Sequence, residues 1–350
     1  QLEKLLFWEK KVQFDPMQNL PQPKIISGKM ICLRPKKDFV EFNAVAPDHL
    51  EVHYLAPDKS DLIQIASDAQ ALLIPAVGPK ISNDLFSKTS IKFVQVTGAG
   101  IDRLDRKFCQ DNEIIVCNVQ GGSAFAVAEF CLAAAIVLSR HLNLGQDGIK
   151  NGQYDQTRKK MIANKMISMQ GQTVGVIGFG TIGRETARLF RSIGCSVLCF
   201  DSFQPSETEA AAVGANISDL HSLLQTADIV SIHVPLSEQT RNLISTNELG
   251  MMKSSAILIN AARGGVVNES ALVEALEANA IRGAATDVFS QEPPTPNNPL
   301  LNLSVIAAQK VFLTPHIAGI TAQAWTDLFK KSWKNIQNYL DGKEVVSRKI

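Results

Sequence analysis

The segment Val174-Gly-Val-Ile-Gly-Phe-Gly-Thr-Ile-Gly183 constrains the fold of this chain more than any other stretch. Its apolar start predicts a buried strand, and three glycines with the spacing GxGxxG follow directly. Residues 184–193 are amphipathic and predict a helix. Glycines in this context permit a tight turn, a close backbone approach to a pyrophosphate and close packing of helix on strand. The segment therefore predicts the first strand, turn and helix of a dinucleotide-binding sheet.

Each glycine of this motif has a separate predicted role. Gly178 permits the turn, Gly180 lets the backbone approach the pyrophosphate, and Gly183 lets the helix, whose N-terminus faces the phosphates, pack on the strand. The next predicted strand ends at Asp201, 18 residues beyond Gly183. A carboxylate there accepts hydrogen bonds from both ribose hydroxyls and repels a 2′-phosphate, so NAD is favoured over NADP. The simpler alternative is a glycine-rich turn with a capping Asp.

The surrounding chain alternates between short β-branched runs and amphipathic stretches, which is typical of a parallel sheet covered by helices. The predicted strands of this half are 173–177, 196–200, 228–234, 256–259, 283–288 and 311–313. Six parallel strands would complete a Rossmann-type doubly wound sheet. Weaker predicted strands precede it, at 30–33, 51–55, 71–74, 92–96 and 113–117. They indicate a second, smaller α/β domain.

The two ends of the chain lie outside this alternation. Residues 1–28, with three prolines, are interpreted as an extension that packs across the surface. Residues 321–340 carry apolar side chains at helical spacing, which predicts one helix with a stripe to bury. Because this helix comes after a completed sheet, we expect the chain to return to the first domain and make it discontinuous.

Composition argues against several classes of function. Apolar residues at 45%, charged residues at 20% and a net charge of +1 are ordinary for a globular protein, so neither nucleic acid nor a membrane surface is an expected partner. The six cysteines form no CxxC pair, which favours a reducing, cytoplasmic compartment over a disulfide framework. The longest apolar run, 125–138, contains Glu129 and is too short for a bilayer, so a buried helix is expected.

Three ionisable residues come after predicted strands in the cofactor half: Arg263, Glu292 and His316. Ligands of an open parallel sheet bind beyond the carboxyl ends of its strands, so we expect these side chains beside the nicotinamide. Singly, each has a simpler interpretation as a capping Arg, a loop Glu beside prolines and a turn His. Together they suit hydride transfer to a ketone, whose oxygen gains negative charge and needs a proton donor and a cation.

The chemistry of each side chain suggests its role. His316 is the candidate acid, and Arg263 is the candidate clamp, because its planar fork can hold a carboxylate or a carbonyl. Glu292 is expected to hydrogen-bond the other imidazole nitrogen and favour the protonated ring. No metal site is predicted.

A glycine-rich stretch of the first domain is a candidate substrate site. Thr97-Gly98-Ala99-Gly100 comes after the strand predicted at 92–96, and we expect it to open a helix whose free amides hold a substrate carboxylate. A plain glycine turn explains this stretch nearly as well.

From about residue 71 to residue 342 the chain resembles the family of D-isomer-specific 2-hydroxyacid dehydrogenases. The motifs that carry the resemblance are TGAGID at 97–102, VAE at 127–129, GFGTIG at 178–183, HVPL at 233–236, NAARGG at 260–265, DVFSQEP at 287–293 and TPHIAG at 314–319. The resemblance implies a nucleotide domain, residues 125–317, inserted in a flavodoxin-like substrate domain, residues 1–124 and 318–350. It also implies catalysis in the cleft between them and a homodimer.

The resemblance assigns roles residue by residue. It makes Arg263, Glu292 and His316 the catalytic residues and gives the substrate carboxylate to Gly98, Ala99 and Gly100. The implied cofactor contacts are Gly178, Gly180, Thr181, Ile182, Gly183, Asp201, Val234, Pro235, Ala261, Asp287 and Gly319. Asp287 is implied as the partner of the nicotinamide carboxamide.

The chain departs from the family pattern in two places. Gly152-Gln-Tyr154 stands where a Gly-x-Trp is frequent, and Ile74-Pro-Ala-Val-Gly78 lacks the Arg that the phosphoglycerate branch often carries. Because the second departure removes a cation, a phosphorylated substrate is disfavoured. The chain also ends soon after its last predicted helix, so a short form without a regulatory domain is expected. The resemblance implies an NAD-dependent enzyme that interconverts a small 2-keto acid, of the glyoxylate, hydroxypyruvate or pyruvate type, and its D-2-hydroxy acid. The alternatives are phosphite oxidation on the same scaffold and a non-catalytic NAD(H)-sensing protein of the corepressor type.

Overall fold

The computed structural model describes residues 28–350, so nearly all of the predicted N-terminal extension lies outside the described residues. The first sheet is fully parallel and has five strands in the order β2-β1-β3-β4-β5. Its strands are β1 (Met30–Cys32), β2 (Val52–Tyr54), β3 (Ala71–Pro75), β4 (Phe93–Thr97) and β5 (Ile115–Cys117). The intervening helices are α1 (Lys36–Glu41), α2 (Leu62–Ile65), α3 (Asn83–Ser87) and α4 (Arg106–Asp111). This strand order is the predicted flavodoxin-like one.

The second sheet is also parallel but has seven strands. They are β6 (Thr173–Ile177), β7 (Ser196–Phe200), β8 (Ala215–Ile217), β9 (Ile229–Ile232), β10 (Ile257–Asn260), β11 (Gly283–Thr286) and β12 (Val311–Leu313). Their spatial order is β12-β11-β10-β9-β6-β7-β8, so the direction of winding switches between β6 and β9. The α/β class and the doubly wound sheet are therefore confirmed.

Helices connect the strands of the second sheet and link it to the first. Three precede β6, namely α5 (Ala124–Arg140), α6 (Leu142–Lys150) and α7 (Tyr154–Ala163). Those between its strands are α8 (Thr181–Ser192), α9 (Glu207–Ala211), α10 (Leu220–Thr226), α11 (Thr246–Met251), α12 (Glu269–Glu277) and α13 (Val305–Ala308). A short 3₁₀ turn, Pro299–Leu301, precedes α13, and the last helix is α14 (Ala322–Leu340).

The predicted count of six strands in this sheet was wrong, because β8 forms a seventh. Its three residues, Ala-Asn-Ile, contain no apolar run, and it pairs only with β7 at the edge of the sheet. The strands predicted at 228–234 and 283–288 each end two residues early, at Ile232 and Thr286. The two residues beyond each strand, His233-Val234 and Asp287-Val288, include a β-branched valine typical of strands but already belong to the loops that follow the sheet.

The register of the second sheet brings its strand ends to one level. Asn260 is paired with Ile232 on one side and with Thr286 on the other. Ile232 pairs in turn with Ile177, and Thr286 with Leu313. The loops after these five strands therefore emerge side by side along one edge, which is where ligands of such sheets bind.

Helix α5 is the buried helix that the apolar run predicted. It packs Cys131, Ala134 and Ala135 against the second sheet. In the part of the chain that the structure describes, no single helix is long and apolar enough to cross a membrane; only the bent pair α5 and α6 reaches that length and apolarity together.

All six cysteines of the chain are buried and free, so none forms a disulfide. Burial raises the pKa of the Cys32 and Cys131 thiols to about 12. These two thiols therefore stay protonated and behave as small apolar side chains.

Helix α14 packs against the first sheet rather than the second. Leu328, Trp333 and Ile336 are buried there in one cluster with Phe39 and Phe93, residues of the first sheet and its helices. The Trp333 indole Nε1 donates to the carbonyl of Ala44 at 2.8 Å. Helix α14 therefore belongs to the core of the first sheet.

Candidate active site

The glycine turn after β6 is shaped by contacts that exclude a side chain. Gly178 has a φ of +92°, and a Cβ there would lie 2.7 Å from the carbonyl of His233. At Gly183 a Cβ would lie 2.0 Å from the carbonyl oxygen of Gly178. Both positions therefore require glycine, the first for the turn and the second so that α8 can lie close to β6.

The N-terminus of α8 and the end of β7 fit a dinucleotide. Gly180 precedes the helix without a side-chain cap, and a Cβ there would meet no atom within 4 Å. The first-turn amides at Thr181 and Ile182 are therefore available to a pyrophosphate. The Asp201 carboxylate accepts from the amides of Phe179 at 2.7 Å and Phe203 at 2.9 Å, which fixes it beside the glycine turn. Its remaining lone pairs can receive ribose hydroxyls.

The other predicted cofactor residues lie after the remaining strands along the same edge. Val234 and Pro235 come after β9, Ala261 comes after β10, and Gly319 lies beyond β12 against the side chain of Ser123. His233 precedes Val234, and its Nε2 hydrogen-bonds the Ser231 hydroxyl at 2.9 Å. Burial lowers the pKa of His233 to about 3, so its ring is neutral at physiological pH.

His316 and Glu292 form a hydrogen-bonded pair in the loops that follow β12 and β11 at this edge of the second sheet. The imidazole Nδ1 donates to Oε2 of Glu292 at 2.7 Å, and the two side chains are 25% and 24% exposed. His316 itself has a φ of +56°, and its amide donates to the carbonyl of Asp287 at 2.8 Å. Since the pair uses Nδ1, the nitrogen that can exchange a proton with a substrate is Nε2.

Glu292 stays ionised in this arrangement. Burial alone would raise its pKa, but hydrogen bonds from His316 and from the Phe289 amide, together with the nearby charges of His316 and Arg263, lower the pKa below its ordinary value. The Phe289 amide donates to the second carboxylate oxygen at 3.0 Å. A charged carboxylate in this position accepts the Nδ1–H hydrogen bond and fixes the orientation of the imidazole ring.

Asp287 lies underneath the loop that carries His316. It is 1% exposed, and its carboxylate accepts from the Thr314 hydroxyl at 2.6 Å and from the amides of Ile317 and Ala318, both at 2.8 Å. These bonds lie on both sides of His316 along the chain and hold its loop in place. The role of Asp287 toward the nicotinamide stays a prediction.

Arg263 lies in the turn after β10, which the Asn260 side chain braces. Asn260 donates to the carbonyl of Arg263 at 3.1 Å and accepts from the amide of Ala262 at 3.2 Å. The guanidinium donates from Nη1 to the carbonyl of Ala262 at 2.7 Å and from Nε to Asp102 at 2.9 Å. The side chain of Arg263 is 28% exposed, so part of it can still meet a ligand.

The Gly98–Gly100 stretch does not open a helix, and that prediction was wrong. Helix α4 begins only at Arg106, because Asp105 is its N-cap and accepts from the Phe108 amide at 3.0 Å. These three residues instead lie in the loop between β4 and α4, where the backbone bends at Gly98 and Ala99, and we refer to the stretch as the Gly98–Gly100 turn. A Cβ at Gly100 would lie 1.8 Å from Nη2 of Arg263, so this turn touches the guanidinium. The structure therefore brings the predicted substrate loop and the predicted clamp together.

Three residues that sequence reasoning missed also shape the site: Asp102, Asn260 and Glu269. Glu269 accepts from the amide and hydroxyl of Ser290, at 2.6 and 2.9 Å, and holds the loop that leads to Glu292. In the sequence Glu269 resembles an ordinary acid in the first turn of a helix. Asp102 did carry a signal, since it is the carboxylate of the motif TGAGID. In residues 28–350 no group of three His, Cys, Asp or Glu side chains could hold a metal ion.

Known proteins resemble this chain in sequence and in structure. The sequence model of one protein family, the NAD-binding domain of D-isomer specific 2-hydroxyacid dehydrogenases, matches residues 132–318. A D-3-phosphoglycerate dehydrogenase of Methanocaldococcus jannaschii is 33% identical over 267 residues, which are 76% of this chain and 49% of that protein. The chain thus spans about half the length of such phosphoglycerate dehydrogenases.

Two further similarities extend over most of the other protein. A hydroxypyruvate reductase of Thermotoga maritima is 31% identical over 277 residues, 79% of this chain and 87% of that protein. The solved structure of the pyruvate reductase of Chlamydomonas reinhardtii is 25% identical, with a TM-score of 0.74 over 93% of this chain and 99% of that one. The second of these also matches the arrangement of the two sheets.

Proposed function

The chain belongs to the family of D-isomer-specific 2-hydroxyacid dehydrogenases and has their NAD-binding domain. We propose that it interconverts a small 2-keto acid and its D-2-hydroxy acid. The observation that carries the proposal is the Nδ1 hydrogen bond of His316 to an ionised Glu292, on the same sheet edge as the glycine turn and Arg263. A proton donor, its supporting carboxylate and a cation are the groups that reduction of a ketone requires.

In the proposed reaction each side chain has one task. Arg263 holds the substrate carboxylate together with the amides of the Gly98–Gly100 turn, which it touches. When bound, NADH supplies the hydride that the carbonyl carbon accepts. Nε2 of His316 gives its proton to the carbonyl oxygen, and Glu292, which accepts the Nδ1–H hydrogen bond, orients the imidazole for that transfer. In the oxidative direction His316 takes the proton of the hydroxyl group.

We propose an unphosphorylated substrate of the glyoxylate, hydroxypyruvate or pyruvate type. The loop after β3 lacks the arginine of the phosphoglycerate branch, and the nearby Arg103 is 4% exposed. Arg103 donates to the carbonyls of Pro79 at 2.7 Å and Pro75 at 2.9 Å, so two of its nitrogens support the loop itself. The hydroxypyruvate reductase among the relatives agrees with a small substrate.

The chain is also proposed to have two domains, to form a homodimer and to be cytoplasmic. We propose that residues 125–317 form a nucleotide domain and that residues 1–124 and 318–350 form the substrate domain, which the packing of α14 on the first sheet supports. A homodimer is proposed from the family resemblance. A cytoplasmic location is proposed because all six cysteines are free thiols.

The test is consumption of NADH by the purified chain with glyoxylate, hydroxypyruvate and pyruvate, with 3-phosphohydroxypyruvate as the phosphorylated counterpart. We expect turnover of at least one small 2-keto acid, a lower kcat/KM for the phosphorylated compound, and loss of turnover in Arg263→Ala. Reduction of NAD by phosphite would favour the phosphite alternative instead. NADH binding without turnover of any compound would contradict the assignment as an enzyme and favour a non-catalytic NAD(H)-sensing protein.

A further inference from the structure

We propose that Asp102 is a positioning residue for Arg263: its carboxylate holds the Nε edge of the guanidinium so that the opposite edge faces the substrate carboxylate. The proposal rests on the proposed function, since it concerns how the clamp of that reaction is oriented. Asp102 lies just after the Gly98–Gly100 turn of the first sheet, whereas Arg263 lies after β10 of the second. The pair thus joins two parts of the site that come from different sheets.

Two hydrogen bonds define the plane of the guanidinium. Nε donates to Oδ2 of Asp102 at 2.9 Å, and Nη1 donates to the carbonyl of Ala262 at 2.7 Å. A guanidinium has five N–H groups in a planar fork, so within residues 28–350 three of them have no protein acceptor, one on Nη1 and two on Nη2. The two acceptors hold the guanidinium plane at two of its three nitrogens, and Nη2 is the nitrogen that can meet another acceptor.

Gly100 shows where that free nitrogen lies. A Cβ at this position would lie 1.8 Å from Nη2 and 2.6 Å from Oδ2 of Asp102. The backbone of the turn is therefore in contact with both members of the pair. Nη2 lies beside the amides that we propose for the substrate carboxylate, which is where a two-pronged contact to that group would form.

The pair is poorly suited to a role in stability. The side chains of Arg263 and Asp102 are 28% and 48% exposed, and exposed ion pairs contribute little to folding because water and salt screen them. The negative charge of Asp102 also opposes binding of an anion by Arg263. Orientation through a hydrogen-bond acceptor is the contribution that remains, and an uncharged acceptor should therefore replace the carboxylate.

The experiment compares Asp102→Asn, which keeps an acceptor oxygen, with Asp102→Ala, which removes it. We expect Asp102→Ala to lower kcat/KM for the 2-keto acid by about 10- to 100-fold, because a misplaced clamp weakens the oriented complex. Asp102→Asn should stay within about threefold of the wild type. NADH affinity and melting temperature should change little in either variant. The matched control is Asp111→Ala, because Asp111 is 56% exposed and pairs with Lys107 in α4 of the same sheet.

A double-mutant cycle with Arg263→Lys separates orientation from a general structural effect. Lysine has no planar fork to orient, so removal of Asp102 in that background should lower kcat/KM by no more than about threefold. An equal loss in both backgrounds would overturn the positioning role. So would a wild-type rate in Asp102→Ala, or equal impairment of the Ala and Asn variants. Inactivity of the wild type toward every 2-keto acid would instead contradict the proposed function and is visible before any variant is made.

Discussion

At the scale of single residues, the site depends on side chains that are held by their neighbours on both sides. His316 is fixed by Glu292 at its ring and by Asp287 at its backbone, while Asp287 is itself fully buried. This arrangement leaves one imidazole nitrogen and one edge of the Arg263 guanidinium for a ligand. The chemistry that we propose therefore uses atoms that have no hydrogen-bond partner among the residues that the structure describes.

The acid role of His316 predicts the behaviour of His316→Ala. Turnover of the 2-keto acid should fall by about 10²- to 10⁴-fold, because the carbonyl oxygen loses its proton donor. NADH affinity, measured by calorimetry, should stay unchanged, since the imidazole lies outside the glycine turn and the ribose site. Near-normal reduction rates in this variant would refute the assignment.

The ribose role of Asp201 predicts a change in cofactor preference. In Asp201→Ala the ratio of kcat/KM for NADH to that for NADPH should fall, because the variant loses the ribose acceptor and the charge that repels a 2′-phosphate. Steady-state kinetics with both cofactors measures this ratio. If it does not change, Asp201 only braces the Phe179 amide.

The lowered pKa of Glu292 predicts how stability responds to acid. A carboxyl group whose folded pKa lies below its ordinary value of about 4.3 stabilises the fold above that pH and loses this contribution as pH falls through the folded pKa. The free energy of unfolding should thus decrease less steeply below about pH 5 in Glu292→Gln than in the wild type. Urea unfolding at several pH values tests this, and parallel curves would be inconsistent with the shift.

The residues that the sequence predicted and those that it missed differ in how far their partners lie along the chain. Glu292 and His316 could be predicted because each lies just after a strand in its own motif. Asp102 could not be predicted as the partner of Arg263, because it lies 161 residues away along the chain and only the packed fold brings the two side chains together. Hydrogen-bond geometry of this kind depends on tertiary structure, which periodicity does not contain.

At the scale of elements, the central strands were predictable and the edges were not. Strands β6, β9 and β10 are apolar almost throughout because helices cover both faces of the sheet, and such runs are distinctive. The edge strand β8 has only Ala215 buried, so its sequence does not differ from a loop. The Gly98–Gly100 turn shows the other limit, because a glycine run predicts a turn without predicting whether a helix or a loop comes after it.

Close packing of two loops predicts the effect of Gly264→Ala. A Cβ there would lie 1.8 Å from the carbonyl oxygen of Phe289, so the Arg263 turn and the Glu292 loop must separate. We expect a loss of about 1–3 kcal/mol in the free energy of unfolding and a fall of about tenfold or more in kcat/KM. Gly250→Ala in helix α11 is the control, because nothing lies within 4 Å of the added methyl. Equal behaviour of the two variants would contradict the packing argument.

At the scale of the whole molecule, the stability of the first sheet depends on helix α14, which packs against it. Trp333 of α14 is 3% exposed and packs against Phe39, with ring centroids 4.8 Å apart. Trp333→Ala should therefore lower the free energy of unfolding of the first-sheet unit by about 3–5 kcal/mol. Val40→Ala, in α1 of the same unit at a position that is 57% exposed, should change it by less than about 0.5 kcal/mol. Urea unfolding followed by circular dichroism tests both, and a loss below about 1 kcal/mol in Trp333→Ala would contradict the dependence.

The contact between Gly319 and Ser123 has a mechanical consequence. Within residues 28–350 the chain runs from the first sheet to the second around residue 120 and returns around residue 320, and this contact places the two crossings side by side. A hinge needs only a few loop residues that absorb a change in backbone dihedral angles, and two adjacent crossings place such residues at one point of the molecule. We expect any relative rotation of the two sheets to take place about these two crossings, and such a rotation would change the Asp102–Arg263 distance because that pair joins the two sheets.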